Sequence, residues 1–299
     1  MHCDTVTDVT DRLSALAPSE QSFLGYLFWL SRPRFWLYLA GPVVVGVVYA
    51  ASSTGEFFTL LTVGLFVYFL LPANIFLYGI NDIFDVDIDE LNPKKSEEGR
   101  EIRYQGNSLV TGTVVLGALA GLAFVPFLPP EGTAALGGFI LLGTAYSAPP
   151  IRLKTTPLLD SISNGLYIMP AIVGYAAVAG ELPPLLAIAG GWLWTMGMHT
   201  FSAIPDIGPD RQAGIQTTAT VLGKGNTLLY CGVCWLLAAV SMGVVHPLFA
   251  AVLSVYPVFV LGIAALSFDI DRAYWWFPLL NTATGTVLTL GGIWRVMYA

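Results

Sequence analysis

Residues 57–89 read FFTLLTVGLFVYFLLPANIFLYGINDIFDVDID, an apolar run over 57–80 followed at once by Asn81 and the carboxylates of Asp82, Asp85 and Asp89. A helix needs ~20 apolar residues to cross a bilayer, and this run supplies them. Carboxylates set where such a helix ends stand at the membrane surface, and positions i, i+3 and i+7 lie on one helical face. Like charges crowded beside lipid are costly unless something neutralises them, and a hard divalent cation does so. The pattern recurs at residues 204–214, IPDIGPDRQAG, where Asp206 and Asp210 follow another apolar run. They share a face if a helix persists past Pro205 and Pro209; Gly208 and Pro209 threaten it, but a break still leaves the two carboxylates close.

Composition agrees with a membrane chain. Of 299 residues, 55% are hydrophobic and 11% charged, more apolar surface than one soluble core hides and what lipid covers. Nine spans are predicted, over 35–52, 57–80, 110–127, 134–146, 158–179, 185–205, 227–245, 247–266 and 275–297. The expected fold is therefore all-α, a polytopic bundle of nine transmembrane helices around a central cavity. Span four is short, and Gly137, Gly138 and Gly143 predict close packing against neighbours. Residues 1–24 read as an acidic cytoplasmic leader, not a signal peptide, because they have neither a basic start nor a long apolar stretch. Residues 25–299 form the single transmembrane domain.

Twelve of the thirteen Lys and Arg fall on one side of these spans, with Arg295 the exception. The opposite loops hold only Glu56, Glu131 and Glu181. The positive-inside rule places the N-terminus and both aspartate loops in the cytoplasm of a multi-pass cell-membrane protein, and an odd number of spans places the C-terminus outside. A net charge of −7 speaks against a nucleic-acid partner, and so acidic a polar surface suits high salt. Cys231 and Cys234 lie within span seven and read as small helix residues, not a metal site. Asp82-Ile83 and Asp206-Ile207 are 124 residues and four helices apart, so the repeat is parallel, with a pseudo-twofold axis along the membrane normal. The two clusters then face each other across the cavity. Mg²⁺ takes one or two carboxylates and completes its shell with water and phosphate oxygens, which fits two ions, one per cluster, bridged by a substrate diphosphate. A solvated acidic loop suffices for Asp269 and Asp271.

NDIFDVDID resembles the NDxxDxxxD signature of the UbiA superfamily of intramembrane prenyltransferases. DIGPDRQAGIQTTATVLGK (206–224) is similar to its second aspartate signature, and YSAPPIRLK (146–154) to the Tyr-and-Lys loop between them. The resemblance implies nine helices, Mg²⁺ ligation by Asp82, Asp85, Asp89, Asp206 and Asp210, and support of the first site by Asn81. Within the superfamily, SRPRFWLYLAGPVVVG (31–46), FLYGINDIFDVDIDELNPKK (76–95) and WTMGMHTFSAIPDIGPDRQAGIQTTAT (194–220) resemble the haloarchaeal lycopene elongase branch. That implies an allylic donor such as dimethylallyl diphosphate and a lipophilic isoprenoid acceptor, lycopene, extended by five carbons with addition of water. Quinone-ring and glycerophosphate acceptors use the same diphosphate apparatus and stay as alternatives.

Other residues take roles in that frame. Departing diphosphate needs its charge neutralised, and Lys154, Arg152 and Arg211 share the aspartates' side of the membrane. Lys94 and Lys95 read as loop solvation. Arg32 and Arg34 either reach the cavity mouth or snorkel to headgroups. A carbocation needs a dry, electron-rich pocket, for which Tyr78, Tyr146, Tyr167 and Trp194 are the candidates. Asn164 and His199, polar groups within spans, are candidates to bind or deprotonate the acceptor, or are interhelical hydrogen bonds. A cation transporter would carry its carboxylates near the bilayer midplane within inverted repeats, unlike this chain.

Overall fold

The computed structural model describes residues 22–86, 104 and 106–298, and every regular element among them is helical. In chain order these are α1 (Phe23–Leu30), α2 (Trp36–Ala50), α3 (Leu60–Leu70), α4 (Pro72–Phe84), α5 (Ser108–Leu119), α6 (Pro130–Ser147) and the single turn α7 (Leu159–Ile162). There follow α8 (Met169–Ala179), α9 (Leu185–Ser202), the short α10 (Ile207–Gln212), α11 (Thr218–Val245), α12 (Pro247–Leu253), α13 (Val255–Leu266) and α14 (Ile270–Tyr298). Asp89, Lys94, Lys95 and the leader as far as residue 21 lie outside the described residues.

Six segments are long and apolar enough to cross a membrane: Pro33–Ala50, Leu60–Phe84, Ser108–Phe127, Leu159–Ala179, Thr218–Val245 and Pro247–Leu266. They coincide with predicted spans one, two, three, five, seven and eight. Helices α6, α9 and α14, of 18, 18 and 29 residues, occupy the other three positions. Large apolar side chains face outward, Leu60 at 92% and Phe58 at 78% exposed, as surface in contact with lipid requires.

The structure departs from the sequence expectation at several element ends, each for a local reason. Span four, predicted from residue 134, begins at Pro130, since proline suits the first helical position and Glu131 follows in the first turn. Of its glycines, a side chain on Gly143 would meet Phe76 at 3.1 Å, whereas Gly137 faces open space. Span seven, predicted from 227, starts at Thr218 behind a Thr217 cap and kinks at Gly223, whose φ is 71°. The transmembrane unit, predicted from residue 25, takes in α1 from Phe23, which buries Leu27 and Leu30.

Span two breaks between α3 and α4 at Pro72, which has no N–H to continue the ladder. Asn74 repairs the break, its Nδ2 donating to the carbonyls of Phe69 at 2.8 Å and Leu70 at 3.0 Å. Helices α2 and α8 cross in backbone contact, because a Cβ on Gly46 would lie 2.1 Å from the Ala171 carbonyl and one on Gly174 2.6 Å from that of Val43. Arg295, the exception to the charge asymmetry, reaches back to α2 and donates to the carbonyls of Ala51 at 2.7 Å and Tyr49 at 3.2 Å. It therefore caps a helix C-terminus, where a cation is favoured. Cys231 and Cys234 are buried free thiols within α11, and His246 caps α12 by accepting the Leu248 N–H at 3.2 Å.

Candidate active site

The C-terminal end of α4 carries the first cluster inward. Asp82 is 1% exposed and accepts from Arg32 Nη2 at 3.0 Å. Asp85 accepts from Arg152 Nη2 at 2.9 Å on one oxygen and from Lys154 Nζ on the other. Lys154 also donates to Asn81 Oδ1 at 2.9 Å, and Ser147 Oγ reaches the same oxygen at 3.2 Å. Arg32 and Arg152 share a device: each has left-handed backbone, φ 50° and 43°, directly before one 3₁₀ turn, Pro33–Phe35 and Leu153–Thr155. A non-glycine residue there costs on the order of 1–3 kcal/mol, and the ion pairs to Asp82 and Asp85 hold both in place. Burial, with Asp82 next in effect, pushes the Tyr26 hydroxyl up to about 12, so a neutral phenol stands beside the cluster.

The second cluster lies on the other wall. Helix α9 stops at Ser202, one 3₁₀ turn spans Ile204–Asp206, and α10 starts at Ile207. The uninterrupted helix considered for 206–210 therefore does not form. Pro205 instead begins the 3₁₀ turn, a position where its missing N–H is harmless. Asp206 and Asp210 still line the same cavity as Asn81, Asp85 and Lys154. Arg211 does not line it: its guanidinium donates to the Thr220 carbonyl, Nη2 at 2.6 Å and Nε at 3.2 Å, tying α10 to the start of α11.

The cavity holds about 260 Å³, and its two ends differ. One turn before Asn81 on α4 come Leu77 and Tyr78; two turns before Asp206 on α9 come Met198 and His199. Moving inward from the carboxylates, the wall thus changes from charge to rings and methylenes. Tyr38 meets Tyr167 edge-on at 6.4 Å, and Arg32 lies 4.8 Å from the Tyr78 ring centroid. Of the four predicted aromatic residues, Tyr78, Tyr146 and Tyr167 line the cavity. Trp194 packs on Tyr256 with centroids 5.7 Å apart and is not part of the wall. The Tyr146 hydroxyl and His199 Nε2 are 2.8 Å apart, with their rings edge to face. Asn164 lines the cavity too, but its amide nitrogen is committed to the Asp160 carbonyl.

Asp160 escaped the sequence reading. It is 2% exposed, and its carboxylate accepts the Thr218 N–H at 2.9 Å and the Thr218 hydroxyl. Thr218 Oγ1 in turn accepts the Leu158 N–H at 2.7 Å. This reciprocal clamp fixes the Lys154 loop against the start of α11, which continues from the Asp206–Asp210 loop. A carboxylate within an otherwise apolar span was the signal that marked it.

The donor set suits Mg²⁺. Each cluster offers carboxylate oxygens, and among the described residues no three His, Cys, Asp or Glu converge to cage a metal. Such an open arrangement leaves the rest of the ion's shell to water and substrate phosphate, as Mg²⁺ prefers.

The UbiA prenyltransferase family model matches residues 39–284. The lycopene elongase/hydratase of Haloarcula japonica is 58% identical over 97% of this chain and 98% of its own length. That of Halobacterium salinarum is 59% identical over 91% of this chain and 98% of its own length. A UbiA homolog from Archaeoglobus fulgidus, solved with DMAPP and Mg²⁺, superposes with a TM-score of 0.66 at 19% identity, covering 91% of this chain and 99% of that one.

Proposed function

Since the chain belongs to the UbiA prenyltransferase family, we propose that it transfers the five-carbon group of dimethylallyl diphosphate to lycopene, with water added to the product. The observation that carries this reading is one cavity with carboxylates of both clusters at one end and ring faces at the other. The printed activity of the relatives, lycopene elongase/hydratase, over nearly the whole chain supports the acceptor. The neighbour bound to DMAPP and Mg²⁺ supports the donor.

In this reading Asp82, Asp85, Asp206 and Asp210, with Asp89, hold two Mg²⁺ ions bridged by the diphosphate. The metal supplies Lewis-acid neutralisation of the leaving group. Lys154 sits between Asn81 and Asp85 and turns to the departing oxygens as negative charge builds on them, where a positioned donor counts most. Arg32 serves the same end from the Asp82 side, Arg152 orients Asp85, and Asn81 holds Lys154 in line. Tyr78 and Tyr167 present ring faces to the allylic cation. Tyr146, His199 and Asn164 line the inner part of the cavity, where the acceptor enters. Arg211 acts through the backbone it ties.

We read the bundle as nine spans, α6, α9 and α14 completing the six most apolar ones, with the N-terminus and aspartate loops cytoplasmic and the C-terminus outside. The parallel four-helix repeat gains support from Arg32 and Arg152, which carry the same left-handed backbone and 3₁₀ turn directly before spans one and five. Purified protein given dimethylallyl diphosphate, Mg²⁺ and, separately, lycopene, a quinone-ring precursor or a glycerophosphate lipid tests the assignment. Lycopene is expected to gain five carbons and one water. Prenylation of either other acceptor, with lycopene unchanged, would refute the lycopene assignment and keep the diphosphate chemistry.

A further inference from the structure

We infer that the Tyr146–His199 couple accepts the proton of the water that ends the reaction, and so decides that the product is an alcohol and not a new alkene. The inference rests on the lycopene reading above. It starts from a hydrogen bond between two titratable side chains that both line the cavity, Tyr146 Oη to His199 Nε2 at 2.8 Å.

Position comes first. Tyr146 directly precedes Ser147, whose hydroxyl donates to Asn81, and His199 lies two helical turns before Asp206. The couple therefore stands just inside the diphosphate end of the cavity. When the terminal alkene of lycopene bonds to the prenyl carbon that carried the diphosphate, the positive charge appears on the neighbouring alkene carbon, two bonds from that prenyl carbon. The charge thus forms close inside the departed diphosphate, at the depth of this couple.

Commitment of the other groups comes second. Asp85 is engaged by Arg152 and Lys154, and Asp160 by Thr218. Asp206 and Asp210 belong to the metal end. Tyr78 and Tyr167 hydrogen-bond each other. Tyr146 with His199 remains as an acid–base pair whose only side-chain engagement recorded here is mutual, and a neutral imidazole nitrogen is a competent proton acceptor.

The step balances. The carbon–oxygen bond of the donor breaks and its electron pair leaves on diphosphate. The alkene π pair forms the new carbon–carbon bond, and a tertiary cation results. A lone pair of water forms the carbon–oxygen bond, one O–H bond of that water breaks, and its pair stays on oxygen. The proton passes to His199 Nε2, either directly or by way of the Tyr146 hydroxyl, which gives up its own proton as it takes the new one. The imidazolium charge offsets the charge gained by the released diphosphate, and the proton returns to solvent when product leaves. Without this acceptor the cation loses a proton from an adjacent carbon and becomes an alkene.

The test is the product ratio in ¹⁸O-labelled water, with dimethylallyl diphosphate, lycopene and Mg²⁺, for wild type, His199→Gln and Tyr146→Phe. Gln keeps a polar partner for Tyr146 but is no base; Phe keeps the ring and removes the hydroxyl. Per lycopene extended, the ratio of ¹⁸O-alcohol to anhydro product is expected to fall at least ~10-fold in His199→Gln, since a general base contributes ~10²–10⁴ to its step, and less in Tyr146→Phe. An unchanged ratio in His199→Gln overturns the inference. Complete loss of five-carbon transfer in both variants, with donor binding retained, overturns it too, because the couple would then act before the cation forms. Wild-type protein that extends no lycopene overturns the proposed function and this inference with it.

Discussion

Lys154→Ala removes an ammonium that bridges Asn81 Oδ1 at 2.9 Å and Asp85. The Lys154 side chain is 10% exposed, so few waters stand ready to replace it. Stability should suffer little, because Asp85 keeps Arg152 at 2.9 Å. The loss is that of a charged hydrogen bond, ~1.5–3 kcal/mol, not the ~3–5 kcal/mol of a buried charge left with no partner. Catalysis should suffer more. If Lys154 turns to the leaving diphosphate, its contact strengthens as the carbon–oxygen bond opens, and losing one such donor lowers kcat by ~10²–10³, about 2.7–4 kcal/mol. Steady-state diphosphate release from dimethylallyl diphosphate, at saturating lycopene and Mg²⁺, separates the possibilities. A fall in kcat and kcat/KM together is expected. A raised donor KM with kcat near wild type would show that Lys154 only binds the ground state, and wild-type values of both would reduce it to a charge that sets topology.

Arg211→Ala should keep kcat within about threefold and lose ~1–2 kcal/mol of stability, because its guanidinium serves the Thr220 carbonyl; a ~10²-fold fall in kcat would return it to the diphosphate. Asp82→Ala and Asp206→Ala should each abolish turnover while the protein stays folded by circular dichroism, and EDTA should stop wild type until Mg²⁺ is restored. Activity of either variant at saturating Mg²⁺ would end the two-site reading. Asp160→Asn keeps the shape but weakens the clamp on Thr218, so a lower Tm and a higher Mg²⁺ requirement are expected, read by thermal melts and Mg²⁺ titration; Thr218→Val should reproduce both. A cysteine at Gly132 should label only from outside and one at Asn92 only from the cytoplasm, and the reverse pattern would overturn the orientation.

The sequence made the spans legible because length and apolarity alone decide where a helix can cross lipid, and it made the carboxylates legible because charge at the end of such a span is expensive. Asp82, Asp85, Asp206 and Asp210 were found that way. Their surroundings were not. Arg32 meets Asp82 across 50 residues, and Tyr146 meets His199 across 53; no local pattern encodes such pairs. Arg211, one residue from Asp210, looked like a clamp, yet which face of a short helix it occupies depends on where α9 stops. The break at Pro72 and its repair by Asn74 were visible as residues, but their relation exists only once the carbonyls of Phe69 and Leu70 are freed. Asp160 was missed for a simpler reason: a carboxylate near the start of a span reads as a loop residue until Thr218 is found above it.

The most direct measurement is the carotenoid mass profile of a lycopene-producing host that expresses this chain, beside the same host expressing Asp206→Ala. Transfer of dimethylallyl groups to lycopene predicts pigments heavier by one or two five-carbon units, each with an added water, in the wild-type culture and only lycopene in the variant. Unchanged lycopene in both cultures, with a prenylated quinone precursor in the wild-type one, would contradict it.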